Sequence, residues 1–286
     1  MNKLMMKIDK QAVLGISLMM PAMAILLCFV AYPVFSSFVT SLSDGAGGYS
    51  FDTYISLLTD SNVQTNIRYT VSIVLWTVAL TILFALILSV YLRFSSSKNA
   101  FWIGKIILLP KFVPGVIAVF AFMSVIRNGG GLTRISYQIT GERFLPQLLH
   151  TDTGIIIMNL WFNIPFATLL LMSALYKISN NQIDSGRDIG LKNLDILFKI
   201  VIPHIKNTIY LAATFVFIST MGAFTTPFLM GENAVKMLGV NLFQEFSVYQ
   251  DYSRAAALSV IIFAISSVVG ALYIRIMFND KKSTFN

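Results

Sequence analysis

Charge is what this sequence has least of. Asp, Glu, Lys and Arg make up only 12% of its 286 residues, against roughly a quarter in an average soluble chain. Hydrophobic residues make up 56%, and the mean hydropathy is +0.74. A soluble domain of this size needs more polar surface, so the apolar residues must face lipid rather than water. Cysteine is nearly absent too. Cys28 stands alone, which excludes an intrachain disulfide, and its place in an apolar run predicts a buried, inert thiol.

The groups that chemistry needs are equally sparse. His150 and His204 are the two histidines, predicted on opposite membrane faces, and no metal-ligand spacing appears. No nucleophile–base set is present, so an enzyme is excluded, and no cofactor or metal site is expected. A phosphate-binding GxxxxGK[ST] loop is missing: Ile106 follows Gly104 and Lys105, and Gly129, Gly130 and Gly131 lack the Lys-Ser/Thr that would complete one. Those three glycines predict a flexible turn. No Asp or Glu falls in the middle of an apolar run. That counts against proton-coupled transport, although sodium coupling through backbone carbonyls stays open. Lys111 is placed near the cytoplasmic end of its run, where it can snorkel, and Arg68 near the outer end of its own.

Six apolar stretches are long enough to cross a bilayer core of about 30 Å at about 1.5 Å per residue. They run from Val13 to Val39, Ile67 to Leu92, Ile103 to Ile126, Gly154 to Tyr176, Ile209 to Met230 and Ala255 to Phe278. The fold class is therefore all-α, a polytopic membrane protein forming a single transmembrane domain over 1–286. The first stretch begins like a signal peptide, with Lys3, Lys7 and Lys10 ahead of it and Ala22, Met23 and Ala24 inside it. Its apolar run continues well beyond them, as an uncleaved anchor requires.

Placing the N-terminus in the cytoplasm puts Lys3, Lys7, Lys10, Arg93, Lys98, Lys105, Lys177, Arg187, Lys192, Lys199, Lys206, Arg275, Lys281 and Lys282 inside. Arg68, Arg127, Arg134, Arg143, Lys236 and Arg254 then lie outside, fourteen against six. Cytoplasmic loops carry the excess of Lys and Arg, so both termini are predicted cytoplasmic. The net charge of +8 follows from this topology and calls for no nucleic-acid partner.

The cytoplasmic segment 177–206 is the long connection. It predicts two short helices. One covers Gln182 to Ile189, with Gly190 as a left-handed cap. The other covers Asn193 to Ile202, with Leu194, Leu197, Phe198 and Val201 as one apolar stripe and Pro203 ending it. Such a pair suits docking into the groove of a soluble partner, and equally suits an interfacial helix pair with no partner.

Asp184, Ser185, Gly186, three residues, Gly190, nine residues, Ile200, one residue, Ile202 and Pro203 resemble the signature loop of binding-protein-dependent ABC importer permeases. That family's pattern is Glu-Ala-Ala, three residues, Gly, nine residues, Ile-x-Leu-Pro. The spacing matches throughout; Asp184, Ser185, Gly186 and Ile202 are the departures. Leu108 to Gly115, with Pro110 and Pro114, is similar to the family's third span, and Trp161 to Phe166, with Asn163 and Pro165, to its fourth. Arg187 to Gly190 and Gly222 to Gly231 are similar to the branch that imports polyamines, ferric ions, 2-aminoethylphosphonate and thiosulfate, with sugar permeases as near relatives.

The resemblance implies a type I importer permease fold in the bacterial inner membrane. It also implies an assembly: a second permease subunit, the same chain or a different one, two ATPase subunits, and an external substrate-binding protein. Within it Asp184, Ser185, Gly186, Arg187, Gly190, Ile200 and Pro203 would form the ATPase-coupling loop. Pro110, Pro114 and Pro165 fit either a gated pathway or kinks that membrane helices tolerate. Asn163 fits either a substrate contact or a helix–helix hydrogen bond, the plainer reading. Trp76 and Trp161 are expected to pack. The rival reading is an ion-coupled secondary transporter.

Overall fold

The computed structural model describes residues 10–43, 48–143, 148–231 and 234–284, the side chains of 10–13 and 279–284 excepted. Lys3 and Lys7 and the side chains of Lys10, Lys281 and Lys282, counted in the charge comparison, lie outside the described residues. Among the described residues every named element is helical, and the only β-pairing is an isolated bridge between Ser43 and Tyr49.

Helix α1 (Lys10–Leu26) passes through a π turn (Leu27–Ala31) into α2 (Tyr32–Ser41), and α3 (Asp52–Thr59) precedes the long α4 (Ser61–Phe94). Then come α5 (Lys98–Ile106), α6 (Gly115–Ile126), α7 (Gly131–Thr140), α8 (Asp152–Leu175) and α9 (Asn180–Asp188). Next, α10 (Asn193–Ile196) leads through a second π turn (Leu197–Val201) into α11 (Ile202–Met221). The chain closes with α12 (Thr225–Met230), α13 (Leu238–Ser247) and α14 (Tyr252–Thr284). Six helical stretches are long and apolar enough to span a membrane: Leu14–Ser41, Ser61–Phe94, Gly115–Thr140, Asp152–Leu175, Asn193–Met221 and Tyr252–Phe278.

Helices α4 and α8 form the centre of the bundle and run parallel, tied at both ends. At one end Tyr69 Oη donates to Asp152 Oδ1 at 2.8 Å. At the other, Arg93 donates to the Ile178 carbonyl at 3.2 Å and to Asn180 Oδ1 at 2.8 Å. The sequence of α4 permits this contact because its buried face is small: Thr70, Thr77, Thr81, Ala85 and Ser89 are all fully buried. Small side chains let helix backbones approach, and in a bilayer that packing replaces the hydrophobic drive between helices. The buried interior divides into two clusters. One holds Ile73, Val119, Ile155, Met158, Met221 and Leu238; the other holds Leu171, Leu175, Ile183, Ile196, Val201 and Ile205.

Three expected helices are built differently. The third stretch, expected as one helix from Ile103 to Ile126, breaks after α5 into a short 3-10 turn (Leu109–Phe112) before α6 begins. Pro110 and Pro114 remove amide donors, and Val113, ahead of Pro114, is extended at φ −95°, ψ 123°. The fifth stretch ends at Met221 rather than Met230, and α12 follows as a separate short helix after Gly222.

Pro203 does not end its helix. Ile202 donates to the Leu197 carbonyl, five residues back, and the chain stays helical through Pro203. The widened turn absorbs the missing amide and the bulk of the ring. The same device recurs at Pro33, where Tyr32 donates to the Leu27 carbonyl. The buried stripe also differs from the expected one. Ile196 and Val201 are buried, while Leu194 and Phe198, expected on the buried face, are exposed.

The first spanning stretch is exposed along residues 14–36. Cys28, expected buried, is exposed there. Trp76 is likewise exposed and packs into neither cluster, whereas Trp161 meets Phe162 edge-on at 5.1 Å.

Candidate functional site

The segment 177–206 folds from strong local signals. Ser179 and Gln182 form a reciprocal cap: the Ser179 amide donates to Gln182 Oε1 at 3.2 Å, and the Gln182 amide to Ser179 Oγ at 3.4 Å. This places the start of α9 at Asn180, two residues before the expected Gln182. The Ser-x-x-Gln spacing carries that information, and the sequence reading did not use it.

At the other end Gly190 adopts φ +84°. Its amide donates to the Arg187 carbonyl at 2.8 Å, and the Leu191 amide donates to the Gly186 carbonyl at 3.0 Å. These two bonds satisfy carbonyls that a helix end leaves orphaned, and the left-handed residue between them is best a glycine.

Gly186 is buried, and a Cβ on it would stand 2.8 Å from Ile200 Cδ1. Two residues of the signature loop thus meet across the α9–α10 pair. Asp184 pairs with Arg187 at 3.0 Å, one turn away, with both side chains more than half exposed; such a pair contributes little to stability. Ser185 is exposed beside them. A cleft of about 520 Å³ separates the end of α4 from this pair, lined among others by Tyr91, Phe94, Ile183, Arg187 and Leu194. Ile189, Leu194 and Phe198 present an exposed apolar surface, at 78%, 69% and 63% accessibility.

Arg93 fixes the segment to α4. Besides its two hydrogen bonds, its guanidinium lies 5.2 Å from the Phe94 ring and 5.5 Å from the Tyr176 ring. The sequence reading took Arg93 only as a topology charge; its place at the last turn of a span was the available signal.

The four pathway candidates fall in one region, where the break between α5 and α6 lies against the middle of α8. Pro110 and Pro114 make the break. Gly115, directly after it, faces Phe162: a Cβ there would be 3.7 Å from that ring. Asn163 donates to the Asn159 carbonyl at 2.8 Å and accepts from Ser219 Oγ on α11 at 3.3 Å. It therefore makes a helix–helix bond. Pro165 is buried inside α8 and lines no surface.

Lys111 lies four residues ahead of Gly115, where the third spanning stretch begins. Its Nζ lies 5.5 Å from the Phe166 ring. Phe166 is about 21 Å along α8 from Asp152 and about 14 Å from Leu175, at about 1.5 Å per residue.

On the other side of the molecule Arg254 gathers Asp60 and Glu245, each at 3.5 Å, so that α4, α13 and α14 share one charge network. The Lys236 amide donates to Asn66 Oδ1 at 3.0 Å, and the Leu238 amide to Thr70 Oγ1 at 2.9 Å. The segment before α13 is thereby sewn to α4. None of these residues was legible as a set, because each comes from a distant stretch of chain. Among the described residues no group of three or more metal-ligating side chains occurs.

No family model matches the chain. It is 25% identical over 194 residues to a probable ABC transporter permease protein of Mycoplasma pneumoniae, covering 65% of this chain and 58% of that one. It is 23% identical over 171 residues to a spermidine/putrescine transport system permease protein of Haemophilus influenzae, covering 59% of each. The chain thus spans less than two thirds of the length of these relatives. Its fold matches a chain of a bacterial alginate ABC transporter, solved with an alginate pentasaccharide-bound periplasmic protein. That match has a TM-score of 0.81 at 15% identity, over 95% of this chain and 96% of that one. The chain is a multi-pass membrane protein with the fold and the sequence likeness of an ABC importer permease.

Proposed function

We propose that the chain is the transmembrane permease subunit of an ATP-driven importer. It forms the route by which a small solute, delivered by an external binding protein, crosses the bacterial inner membrane. A second permease subunit, a copy or a different chain, completes the route. Two ATPase subunits dock below and hydrolyse the ATP. Residues 1–286 act as one transmembrane domain with both termini in the cytoplasm. Asp184, Ser185, Gly186, Arg187, Gly190, Ile200 and Pro203 belong to the docking element, and Pro110, Pro114, Asn163 and Pro165 shape the pathway. The names of the relatives keep polyamines in view as solutes, with sugars as a second class, and the resemblance of the loop adds ferric ions and phosphonates.

One observation supports this reading best. Ile183 of α9 and Ile196 of α10 belong to the same buried cluster as Leu171 and Leu175 of α8 and Ile205 of α11. Ile189, Leu194 and Phe198, in and beside the pair, are uncovered. A partner that grips the uncovered face moves two spanning helices with it, because a close-packed interior transmits displacement rather than absorbing it. An ion-coupled carrier has less support: the buried carboxylate of Glu245 is already paired with Arg254.

The test is co-expression with the cognate ATPase, co-purification from detergent-solubilised membranes, and uptake by proteoliposomes. Uptake that needs ATP and the ATPase is expected, and Asp184→Lys should lower both ATPase retention and uptake. Solute movement by the chain alone down an ion gradient would overturn the reading. For topology, a reporter active only outside the cytoplasm, fused to the C-terminus, should stay silent.

A further inference from the structure

Lys111 occupies a place where a charge needs a reason. Its Nζ lies against Phe166, in the middle third of α8, and Phe166 in turn meets Phe215 of α11 edge-on at 5.8 Å. The residue is exposed, and among the described residues no carboxylate forms an ion pair with it. Ionisable side chains at such a depth face a bundle interior or a water-filled cavity, because hydrocarbon solvates an ammonium poorly.

The backbone points the same way independently. Between α5 and α6 the chain is a 3-10 turn and an extended residue, and Leu109 and Phe112 in that stretch are 57% and 80% exposed. Irregular backbone at membrane depth is tolerated where it is covered by protein or lines a water-filled cavity, since lipid offers its amides and carbonyls no partner. A break and a cation at one depth, both on an uncovered face, mark the wall of an aqueous route.

We infer that Lys111 is a specificity-determining residue of the translocation route, and that the solute carries a negative charge, such as a carboxylate, sulfonate or phosphonate. The inference rests on the permease reading above and narrows its range of solutes. A fixed cation in a low-dielectric, water-filled passage concentrates anions and repels polycations. The ring of Phe166 holds the ammonium without neutralising it, because a cation–π contact leaves the full charge in place. A neighbouring carboxylate would have cancelled it.

The single native cysteine makes this testable. In a Cys28→Ser background, Val113→Cys places a thiol two positions from Lys111. The assembled importer is treated with a negatively charged and a positively charged methanethiosulfonate reagent. Both should react, and the anionic reagent should be favoured by about tenfold relative to the same protein carrying Lys111→Gln. Lys111→Arg should keep the preference. A second arm identifies by mass spectrometry the solute that co-purifies with the external binding protein; it should be an anion.

Two results overturn the inference. One is an absence of labelling, or labelling rates indifferent to Lys111→Gln. The other is a binding protein loaded with a polycation. Neither outcome touches the permease reading, which is decided separately by whether the ATPase co-purifies and drives uptake.

Discussion

Gly186 of α9 meets Ile200 of the second π turn: a Cβ on Gly186 would stand 2.8 Å from Ile200 Cδ1 and 3.6 Å from Leu191 Cδ1. Glycine at this position is a packing choice as well as a weak point of the helix. The obstructing atom is the far end of a flexible side chain, so a methyl group is accommodated when Ile200 turns aside. Gly186→Ala should therefore be close to neutral, its contact cost offset by up to about 1 kcal/mol of helix propensity. Gly186→Leu has no such room and should prise α9 from the π turn. Thermal melting in detergent and ATPase co-purification together check this: equal damage from both variants would mean that the contact does not govern the site.

Gly190 makes a different demand. Nothing lies within 4 Å of a Cβ placed there, yet its φ is +84°. Space is free and conformation is not. Gly190→Val should strain the turn by about 1–3 kcal/mol, while Gly190→Asn, which tolerates the left-handed region, should lose far less. Membrane insertion should be unaffected in both, and ATPase retention should fall for valine alone. Equal retention by the two would dissociate the turn from docking.

Arg93 joins the end of α4 to the start of the segment 177–206 through Ile178 and Asn180. Arg93→Ala leaves the Ile178 carbonyl short of a donor and should cost about 1–3 kcal/mol. Arg93→Lys cannot reproduce the planar fork. Hydrogen exchange over 178–190 should quicken in both variants. Exchange unchanged from wild type would show that the clamp is not what orders the segment.

Thr70 donates none of its worth to lipid: its Oγ1 accepts the Leu238 amide at 2.9 Å and donates to the Asn66 carbonyl at 2.7 Å. Thr70→Val keeps the shape and strands a buried amide, so it should destabilise by about 1–3 kcal/mol. Thr70→Ser should restore most of that. A lower melting temperature for valine but not for serine is the expected pattern.

Much of the architecture is written in the order of residue types. Most of Ser61–Phe94 and Asp152–Leu175 follows from the apolar runs Ile67–Leu92 and Gly154–Tyr176, and the left-handed Gly190 follows from its place between two short helices. These features are local, because helix formation in lipid depends on hydropathy and on backbone bonds within each segment. Pro203 shows where locality stops. A proline that ends a helix by local rules is carried within one here, because the π turn Leu197–Val201 just before it rewires the bonding. Nor does spacing name the buried face: Ile196 and Val201 are buried while Leu194 and Phe198 are exposed.

The depth of Lys111 was beyond the sequence for a related reason. Counting from the start of an apolar run assumes an unbroken helix, at about 1.5 Å per residue. The break at Pro110 and Pro114 spoils the count, and only packing of this stretch against α8, Gly115 on Phe162 and Lys111 on Phe166, sets where Lys111 lies. The sequence alone determined that this chain crosses a membrane in helices and that two short helices follow the fourth span, since both rest on neighbours along the chain. Tertiary structure decided what faces what: Gly186 against Ile200, Arg93 against Ile178, Arg254 between Asp60 and Glu245. Those contacts join residues far apart in sequence, and their geometry is set by how whole helices pack.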